Sequence, residues 1–238
     1  MTNDSSNGPT HPLDRPSYSS LTGPHRRFAI GTARAVRYPA DVSPMNGMSD
    51  AADPQAWADL GELTGPGQTV LLPGPASTID HLPAGWEVVM NLPGVQLVAT
   101  DALVTAPDPE LLTLGAGDVD DMLDLVARTE PGPFERRTID LGTYRGVRID
   151  GKLVAMGGER FYPPGYTEIS AVCTDPAQRG RGLASRVIRA VAHGIRERGD
   201  VPMLHTAAVN TTAVRLYEGL GFAVRWHPTF FVFRTPAA

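Results

Sequence analysis

The chain has 238 residues, 42% of them hydrophobic and 20% charged, with a formal net charge of −5. This is the composition of a soluble globular protein with one large core or two modest ones, and the negative charge gives no general attraction to nucleic acid. No apolar run approaches the roughly 18 residues that cross a bilayer, and the first residues lack the charged-then-apolar pattern of a secretion signal. We therefore expect a cytoplasmic protein with no nucleic-acid or membrane partner.

The chain contains one cysteine, Cys173, and six scattered histidines. A single cysteine excludes an intramolecular disulfide framework and suits a reducing cytoplasm. The histidines lack the spacing of zinc ligands, so we expect no metal site.

Taken in chain order, the sequence predicts three segments. Residues 1–24 are polar and rich in proline, serine and glycine, which predicts a disordered or weakly ordered segment. Residues 25–106 predict an α/β domain with a short helix near Trp57 to Leu63. Strand-like runs in that domain lie at 68–74, 85–90 and 94–101.

The third segment, residues 107–238, alternates helical and strand patterns. Asp118 could cap a helix with one apolar face. Asp150-Gly151 predicts a tight turn between two strands. The predicted strands are Tyr144 to Ile149, Leu153 to Phe161 and Glu168 to Thr174.

A glycine-rich turn, DPAQRGRGLA at residues 175–184, follows the last of these strands and leads into a predicted amphipathic helix. Glycines let the backbone approach a ligand closely, and the first-turn N–H groups of a helix favour an anion. The turn is either an anion cradle or only a tight corner. It lacks the Lys-Ser/Thr of a Walker loop, and as a dinucleotide fingerprint it has Ser185 in place of the third glycine.

Two blocks resemble the acyl-CoA N-acyltransferase superfamily known as GNAT. Arg179, Gly182 and Ala184 meet its pyrophosphate signature, Arg/Gln-x-x-Gly-x-Gly/Ala. NTTAVRLYEGLGF at residues 210–222 resembles its second cofactor segment, Asn-x-x-Ala-x-x-Leu-Tyr-x-x-Leu-Gly-Phe. The resemblance covers residues 109–235 and implies an α/β (α+β) GNAT fold with a central mixed β-sheet.

The resemblance implies an N-acetyltransferase in which acetyl-CoA donates its acetyl group to a primary amine by direct attack in a ternary complex. A small amine, an amino acid and a peptide all remain open as acceptors, and a monomer or a homodimer is expected. The alternative is a CoA-binding regulatory or scaffold module with little turnover.

Site residues follow from the same resemblance. The cofactor would contact the backbone of one strand, the glycine turn and the second block, at Val172, Cys173, Thr174, Arg179, Gly180, Arg181, Gly182, Leu183, Ala184, Ser185, Asn210 and Tyr217. Tyr217 matches the family tyrosine that stabilises the departing thiolate. Glu168 lies where many members carry a catalytic carboxylate, or is a surface residue at a strand edge, and Glu159 is a second carboxylate. Nothing in the sequence is placed to activate Cys173 as a nucleophile.

The acceptor pocket in this family is built from the first helices and the last hairpin. Here these would be Phe134 to Arg137, Phe161, Tyr162 and Trp226 to Phe230. Arg136 and Arg137 could pair an acceptor carboxylate or form a solvated helix face.

The two halves of the chain also share a pattern. GWEVVMNLPGVQLV at residues 85–98 parallels GFAVRWHPTFFVF at residues 221–233, each with a glycine-aromatic pair and two strand-like runs around a proline. Residues 25–106 are therefore interpreted as a degenerate GNAT-like half without a cofactor turn, as in glycine N-acyltransferase-like tandem proteins. The alternative is that any two β-hairpins look this similar.

Overall fold

The structure, a computed structural model, describes residues 11–237. Residues 1–10 of the predicted weakly ordered segment lie outside this range. The rest of that segment is helical, with a 3-10 turn at Pro12–Asp14 followed by helix α1 (Pro16–Thr22). Leu13 and Leu21 are fully buried. Residues 11–24 are thus held by proline-initiated helical turns and apolar packing, which their polar composition did not reveal.

The remaining helices confirm the helical patterns that the sequence predicts. They are α2 (Pro54–Thr64), α3 (Val119–Thr129), α4 (Leu183–Glu197) and α5 (Thr211–Leu220). Asp118 does not cap α3 by a hydrogen bond, because its carboxylate accepts from the backbone N–H of Gly115 and from Arg148.

The described residues contain strands of two sheets. The strands are β1 (Ile30–Gly31), β2 (Ala35–Arg37), β3 (Asn46–Met48), β4 (Thr69–Gly74), β5 (Glu87–Ala99), β6 (Leu112–Leu114), β7 (Tyr144–Ile149), β8 (Lys152–Glu159), β9 (Tyr166–Thr174), β10 (Val201–Ala207), β11 (Phe222–Trp226) and β12 (Thr229–Arg234). Strands β1 to β3 form a small antiparallel sheet, and the others form one sheet of nine strands.

The large sheet has the order β4-β12-β5-β10-β9-β8-β7-β6, with β11 also paired to β5. Strands β9 and β10 are parallel, whereas the other neighbours are antiparallel. The mixed central sheet that the resemblance implies is confirmed.

Strands β4 and β5 belong to the predicted N-terminal domain but lie inside this sheet. They flank β12 from the C-terminal end of the chain. The predicted boundary near residue 106 therefore does not separate two sheets, because sheet pairing joins residues far apart in sequence.

Residues 85–98 differ from the predicted pair of strands, because β5 is a single strand that changes partner in its middle. It pairs with β12 as far as Pro93, and with β10 from Gly94 onward. A proline, which lacks an N–H group, is tolerated where the ladder changes partner. Since β11 and β12 are separate strands, the sequence parallel between the two stretches is not matched by their structure.

Each face of the large sheet is covered by a different part of the chain. On one face, α4 packs its predicted apolar side, of which Val187, Ile188 and Ile195 are fully buried. On the other face, Leu13 and α1 pack over a cluster that includes Tyr38 and Phe161. The N-terminal segment thus covers this face of the sheet.

Candidate active site

Strands β9 and β10 lie side by side for only part of their length. Their paired residues run from Tyr166–Val201 to Ile169–Leu204. Beyond these, β10 pairs with β5 and β9 pairs with β8. The edge of β9 over residues 170–174 therefore has no neighbouring strand among residues 11–237, and the backbone N–H and C=O groups of that edge face a gap.

A β-bulge in β9 lies in the same stretch. The register with β8 shifts between the pairs Met156–Cys173 and Gly158–Ser170, which leaves one extra residue on β9. Ala171 in the bulge has a φ of 52°. A non-glycine residue in the left-handed region costs about 1–3 kcal/mol, and such strain is concentrated at functional sites.

The glycine turn leads from β9 into the N-terminus of α4. Gly180 and Gly182 have φ values of +76° and +75°, and a Cβ atom at either position would meet open space. Gly182 is the N-cap of α4 and supplies no capping side chain. The first-turn N–H groups of α4 are therefore left for an anion, which the positive end of the helix dipole also favours.

Asp175 fixes the start of this turn. Its carboxylate accepts a 3.0 Å hydrogen bond from the backbone N–H of Ala177, pairs with Arg128 at the end of α3, and lies 3.3 Å from the Lys152 ammonium. The backbone hydrogen bond, followed by the two cations, lowers the pKa of Asp175. The turn is thus held against α3 by a carboxylate that stays ionised.

A cleft of about 950 Å³ follows the open edge of β9 and the glycine turn. Its wall contains 11 of the 12 residues predicted to bind the cofactor: Val172, Cys173, Thr174, Arg179, Gly180, Gly182, Leu183, Ala184, Ser185, Asn210 and Tyr217. Arg181 does not line it, and its guanidinium instead donates a hydrogen bond to Gln178.

Tyr217 reaches the cleft from α5. The side chain of Asn210 caps this helix by accepting a 3.1 Å hydrogen bond from the backbone N–H of Ala213, which explains the asparagine of the second block in structural terms. Tyr217 is 8% exposed, and burial raises its pKa to about 12. The phenol therefore stays protonated and can donate a hydrogen bond at neutral pH.

Cys173 lines the same wall but is a poor nucleophile. Burial raises the pKa of its thiol to about 11, although a hydrogen bond with Thr129 opposes this shift. Since the thiolate is the nucleophilic form, the thiol at neutral pH is unreactive.

Glu168 lies beneath the cleft instead of on its wall. It is fully buried and accepts two 2.8 Å hydrogen bonds from the Arg160 guanidinium and one of 2.7 Å from Nδ1 of His205. Burial alone would raise the pKa of Glu168, but the charge and hydrogen bonds of Arg160, together with the hydrogen bond from His205, outweigh it and lower the pKa to about 2. Arg160 and His205 line the cleft themselves.

These residues continue into a row that crosses the sheet, which we call the polar chain: Arg160, Glu168, His205, Gln96 and Arg225. Arg225 donates a 2.8 Å hydrogen bond to the amide oxygen of Gln96. The amide nitrogen of Gln96 lies 2.8 Å from the carbonyl oxygen of Leu13 and 2.9 Å from Nε2 of His205.

The polar chain fixes the protonation of His205. Arg225 can only donate and a carbonyl oxygen can only accept, so the Gln96 nitrogen must be the donor to His205. Nε2 of His205 then accepts, and its Nδ1–H donates to the Glu168 carboxylate. The imidazole is therefore neutral, with a single tautomer.

The other carboxylate and the predicted acceptor residues lie mostly away from the cleft. Glu159 is buried and bonded to Arg198, Tyr162 and the backbone N–H of Thr143. Exposed Arg136 and Arg137 pair with acidic residues. Phe134 and Phe161 are buried in core clusters, and of residues 226–230 only Phe230 lines the cleft.

Within the described range, no helix is long and apolar enough to cross a membrane. No group of three or more potential metal ligands comes together among residues 11–237.

Known proteins are similar to this chain in both sequence and fold. The family described as FR47-like protein matches residues 141–231. A crystal structure from Novosphingobium aromaticivorans, assigned to the GNAT family of acetyltransferases, is 39% identical and superposes with a TM-score of 0.86, covering 96% of this chain and 100% of that one.

Two curated relatives match shorter stretches. A mycothiol acetyltransferase from Thermobispora bispora is 47% identical over 60 residues, which are 25% of this chain and 20% of that protein. The N-alpha-acetyltransferase RimI from Mycobacterium tuberculosis is 34% identical over 82 residues, 33% of this chain and 51% of the relative. The match therefore spans a fifth to a half of these relatives.

Proposed function

The chain belongs to the GNAT family of acetyltransferases, and on that premise we propose that it transfers an acetyl group from acetyl-CoA directly to a primary amine while both are bound. The observation that carries this proposal is the open edge of β9, which continues into the uncapped N-terminus of α4 with Tyr217 in the same cleft.

The residues along the cleft suit the parts of the cofactor. The unpaired backbone edge over residues 170–174 offers donors and acceptors to the amides of the pantetheine arm. The turn from Arg179 to Gly182 and the first turn of α4 offer N–H groups and a cation to the pyrophosphate. Thr174 supports the fit, because its buried hydroxyl has no hydrogen-bond partner within the described chain and lies in this wall.

Acetyl transfer forms a C–N bond to the amine and breaks the C–S bond of the thioester. The sulfur leaves as a thiolate, and the nitrogen gives a proton to solvent. Full transfer of a proton from a phenol with a pKa of about 12 to the thiolate of a thiol with a pKa near 8.5 would cost about 5 kcal/mol. Tyr217 therefore acts by donating a hydrogen bond to the charge that develops on sulfur.

Tyr217 does not account for the removal of the proton from the acceptor. Converting a primary ammonium group with a pKa near 10.4 to the neutral amine costs roughly 4–5 kcal/mol at pH 7. Glu168, ionised and enclosed by Arg160 and His205, contributes as a positioning residue that orients these two cleft-lining side chains. The amine loses its proton to water before or as it enters the cleft.

The relatives support the acetyl donor and leave the acceptor open. One is named for mycothiol and the other for α-amino groups, but each shares only part of its length with this chain. Membership of the acetyltransferase family supports a primary amine as the acceptor class.

The test combines cofactor binding with turnover. Calorimetry should detect acetyl-CoA binding, and Gly182→Asp should weaken it at least tenfold, since a carboxylate would repel the pyrophosphate. Gly165→Asp is the matched control, because Gly165 also has a positive φ, of 78°, with open space around a Cβ atom but lies outside the cleft.

Thiol release with a panel of amines then tests acyl transfer. The pyrophosphate site is wrong if both variants weaken binding equally. The proposed reaction is wrong if the intact protein binds acetyl-CoA but acetylates no amine.

A further inference from the structure

One part of the cleft wall, separate from β9, α4 and α5, is apolar. We call it the apolar shelf and define it by five residues that line the cleft: Met45, Leu71, Met90, Leu92 and Phe230. Three neighbouring strands, β4, β12 and β5, carry four of them.

Strand register keeps the shelf on one face of the sheet. On β12, Val232 lies between Leu71 and Met90, and Phe230 lies next to Leu92. Met45 joins the shelf through a bridge to Leu71. The rows that these pairs form are continuous, so the shelf is one surface and not a set of separate contacts.

The shelf adjoins the reactive part of the cleft. The Phe230 ring meets the His205 ring edge to face with centroids 5.9 Å apart. Met90 is 40% exposed, and Leu71, Leu92 and Phe230 are half-buried. Apolar surface that stays partly open inside a cleft is available to a ligand.

No ionic group beside the shelf is free to hold a charged acceptor. Arg160 and His205 also line the cleft, and both are bonded to Glu168. Glu130 is the sole carboxylate in the described cleft wall, and it follows α3 instead of adjoining the shelf. Neither an ammonium ion nor an acceptor carboxylate finds an unpaired partner there.

From these contacts we infer that, given the proposed acetyl transfer, the acceptor is a primary amine on an alkyl or arylalkyl group, without a carboxylate next to the nitrogen. The shelf binds the apolar group. An apolar environment next to the Arg160 cation disfavours the ammonium form, so the amine binds as the neutral nucleophile. Desolvation by the shelf thereby selects the neutral amine, so that no carboxylate base is needed beside the acceptor nitrogen.

The test is a series from propylamine to hexylamine, whose amino groups are of similar basicity, with kcat/KM measured by thiol release. We expect kcat/KM to rise about two- to fourfold for each added CH2 group until the shelf is filled. Phenethylamine should exceed phenylalanine at least tenfold, because the carboxylate of the latter has no partner.

Two variants test whether the shelf causes the dependence of kcat/KM on chain length. Met90→Gln should flatten the dependence on chain length, whereas Val89→Gln should not, since Val89 is 48% exposed on the same strand but does not line the cleft. A flat series in the intact protein, a preference for phenylalanine or for a peptide N-terminus, or equal effects of both variants would overturn the inference and leave acetyl transfer standing. Acetyl-CoA binding without acetylation of any amine overturns both.

Discussion

Gln96 and His205 lie opposite each other on antiparallel strands, joined by a 2.9 Å hydrogen bond from the amide nitrogen to Nε2 of the imidazole. The same amide bonds Leu13 of the N-terminal segment and Arg225 of β11. The buried side chain of Gln96 thus connects the N-terminal segment that covers the sheet with a residue that lines the cleft.

Gln96→Leu should destabilise the protein by about 1–3 kcal/mol. The substitution leaves the Leu13 carbonyl and the His205 ring nitrogen buried without their partner, which costs more than the hydrogen bonds themselves contribute. Urea unfolding measures the loss. The control is Gln55→Leu on the exposed side of α2, where we expect a change within about 0.5 kcal/mol. Equal losses in both variants would mean that Gln96 is not a connecting residue.

The Glu168–Arg160 pair predicts a loss of stability in acid. The pKa of Glu168 is lowered from 4.5 to about 2 in the folded protein. The unfolded state therefore takes up the proton first as the pH falls, and the stabilisation, fully present above pH 4.5, is lost progressively towards pH 2. A pKa difference of this size corresponds to about 3 kcal/mol.

Glu168→Gln tests this assignment. The variant should be about 3–5 kcal/mol less stable at pH 7, because it leaves the buried Arg160 cation without its counter-charge. Its stability should also fall less steeply than that of the intact protein between pH 4.5 and 2. Parallel pH curves for the two proteins would place the acid-sensitive carboxylate elsewhere.

His25 predicts a second loss of stability on acidification, in a higher pH range than that of Glu168. Burial, followed by the Arg27 charge, lowers the pKa of His25 from 6.5 to about 4, and Nδ1 lies 3.0 Å from the Tyr38 hydroxyl. The folded protein keeps the ring neutral while the unfolded chain protonates below pH 6.5. Stability should therefore decrease as the pH falls from 6.5 to 4, by about 3 kcal/mol.

Denaturation of His25→Asn over this range isolates the effect. The variant is expected to be less stable at pH 7 but to lose little further stability down to pH 4. The surface histidine His227 gives the control substitution, His227→Asn, which should keep the pH dependence of the intact protein. A pH dependence retained in His25→Asn would contradict the assignment.

The two halves of the candidate site were not equally predictable from sequence. The glycine turn and the Asn210 to Tyr217 block are local patterns, in which φ values and a helix cap restrict the residue type. The polar chain joins residues as far apart as Gln96 and Arg225, 129 positions along the chain. Its one sequence signal was polar residues within buried strands, which reveals burial but not the partner.

Most of the acceptor side was hard to predict for a related reason. The sequence offered Arg136 and Arg137 either as acceptor contacts or as a solvated helix face, and both pair with surface carboxylates. Of the predicted pocket, Phe230 does line the cleft. The shelf instead depends on β4 and β5 entering the same sheet as β12, and a chain divided near residue 106 gives no reason to expect this.

Tyr217→Phe should lower kcat about 100-fold or more and leave the affinity for acetyl-CoA unchanged. The ring fills the same space, and the lost group is a donor that matters when charge develops on the leaving sulfur. Because burial raises the pKa of Tyr217 to about 12, the phenol remains protonated, and deprotonation of Tyr217 should not limit kcat below pH 10. Steady-state kinetics and calorimetry provide the two measurements.

Tyr18→Phe is the control for this prediction, since the Tyr18 hydroxyl bonds the Ala33 carbonyl at the surface, outside the cleft. Undiminished kcat in Tyr217→Phe would reduce Tyr217 to a packing residue against Phe222. A fall in kcat with unchanged binding, absent from the control, would distinguish an enzyme from a protein that only holds the cofactor, because binding alone does not require a donor to the departing thiolate.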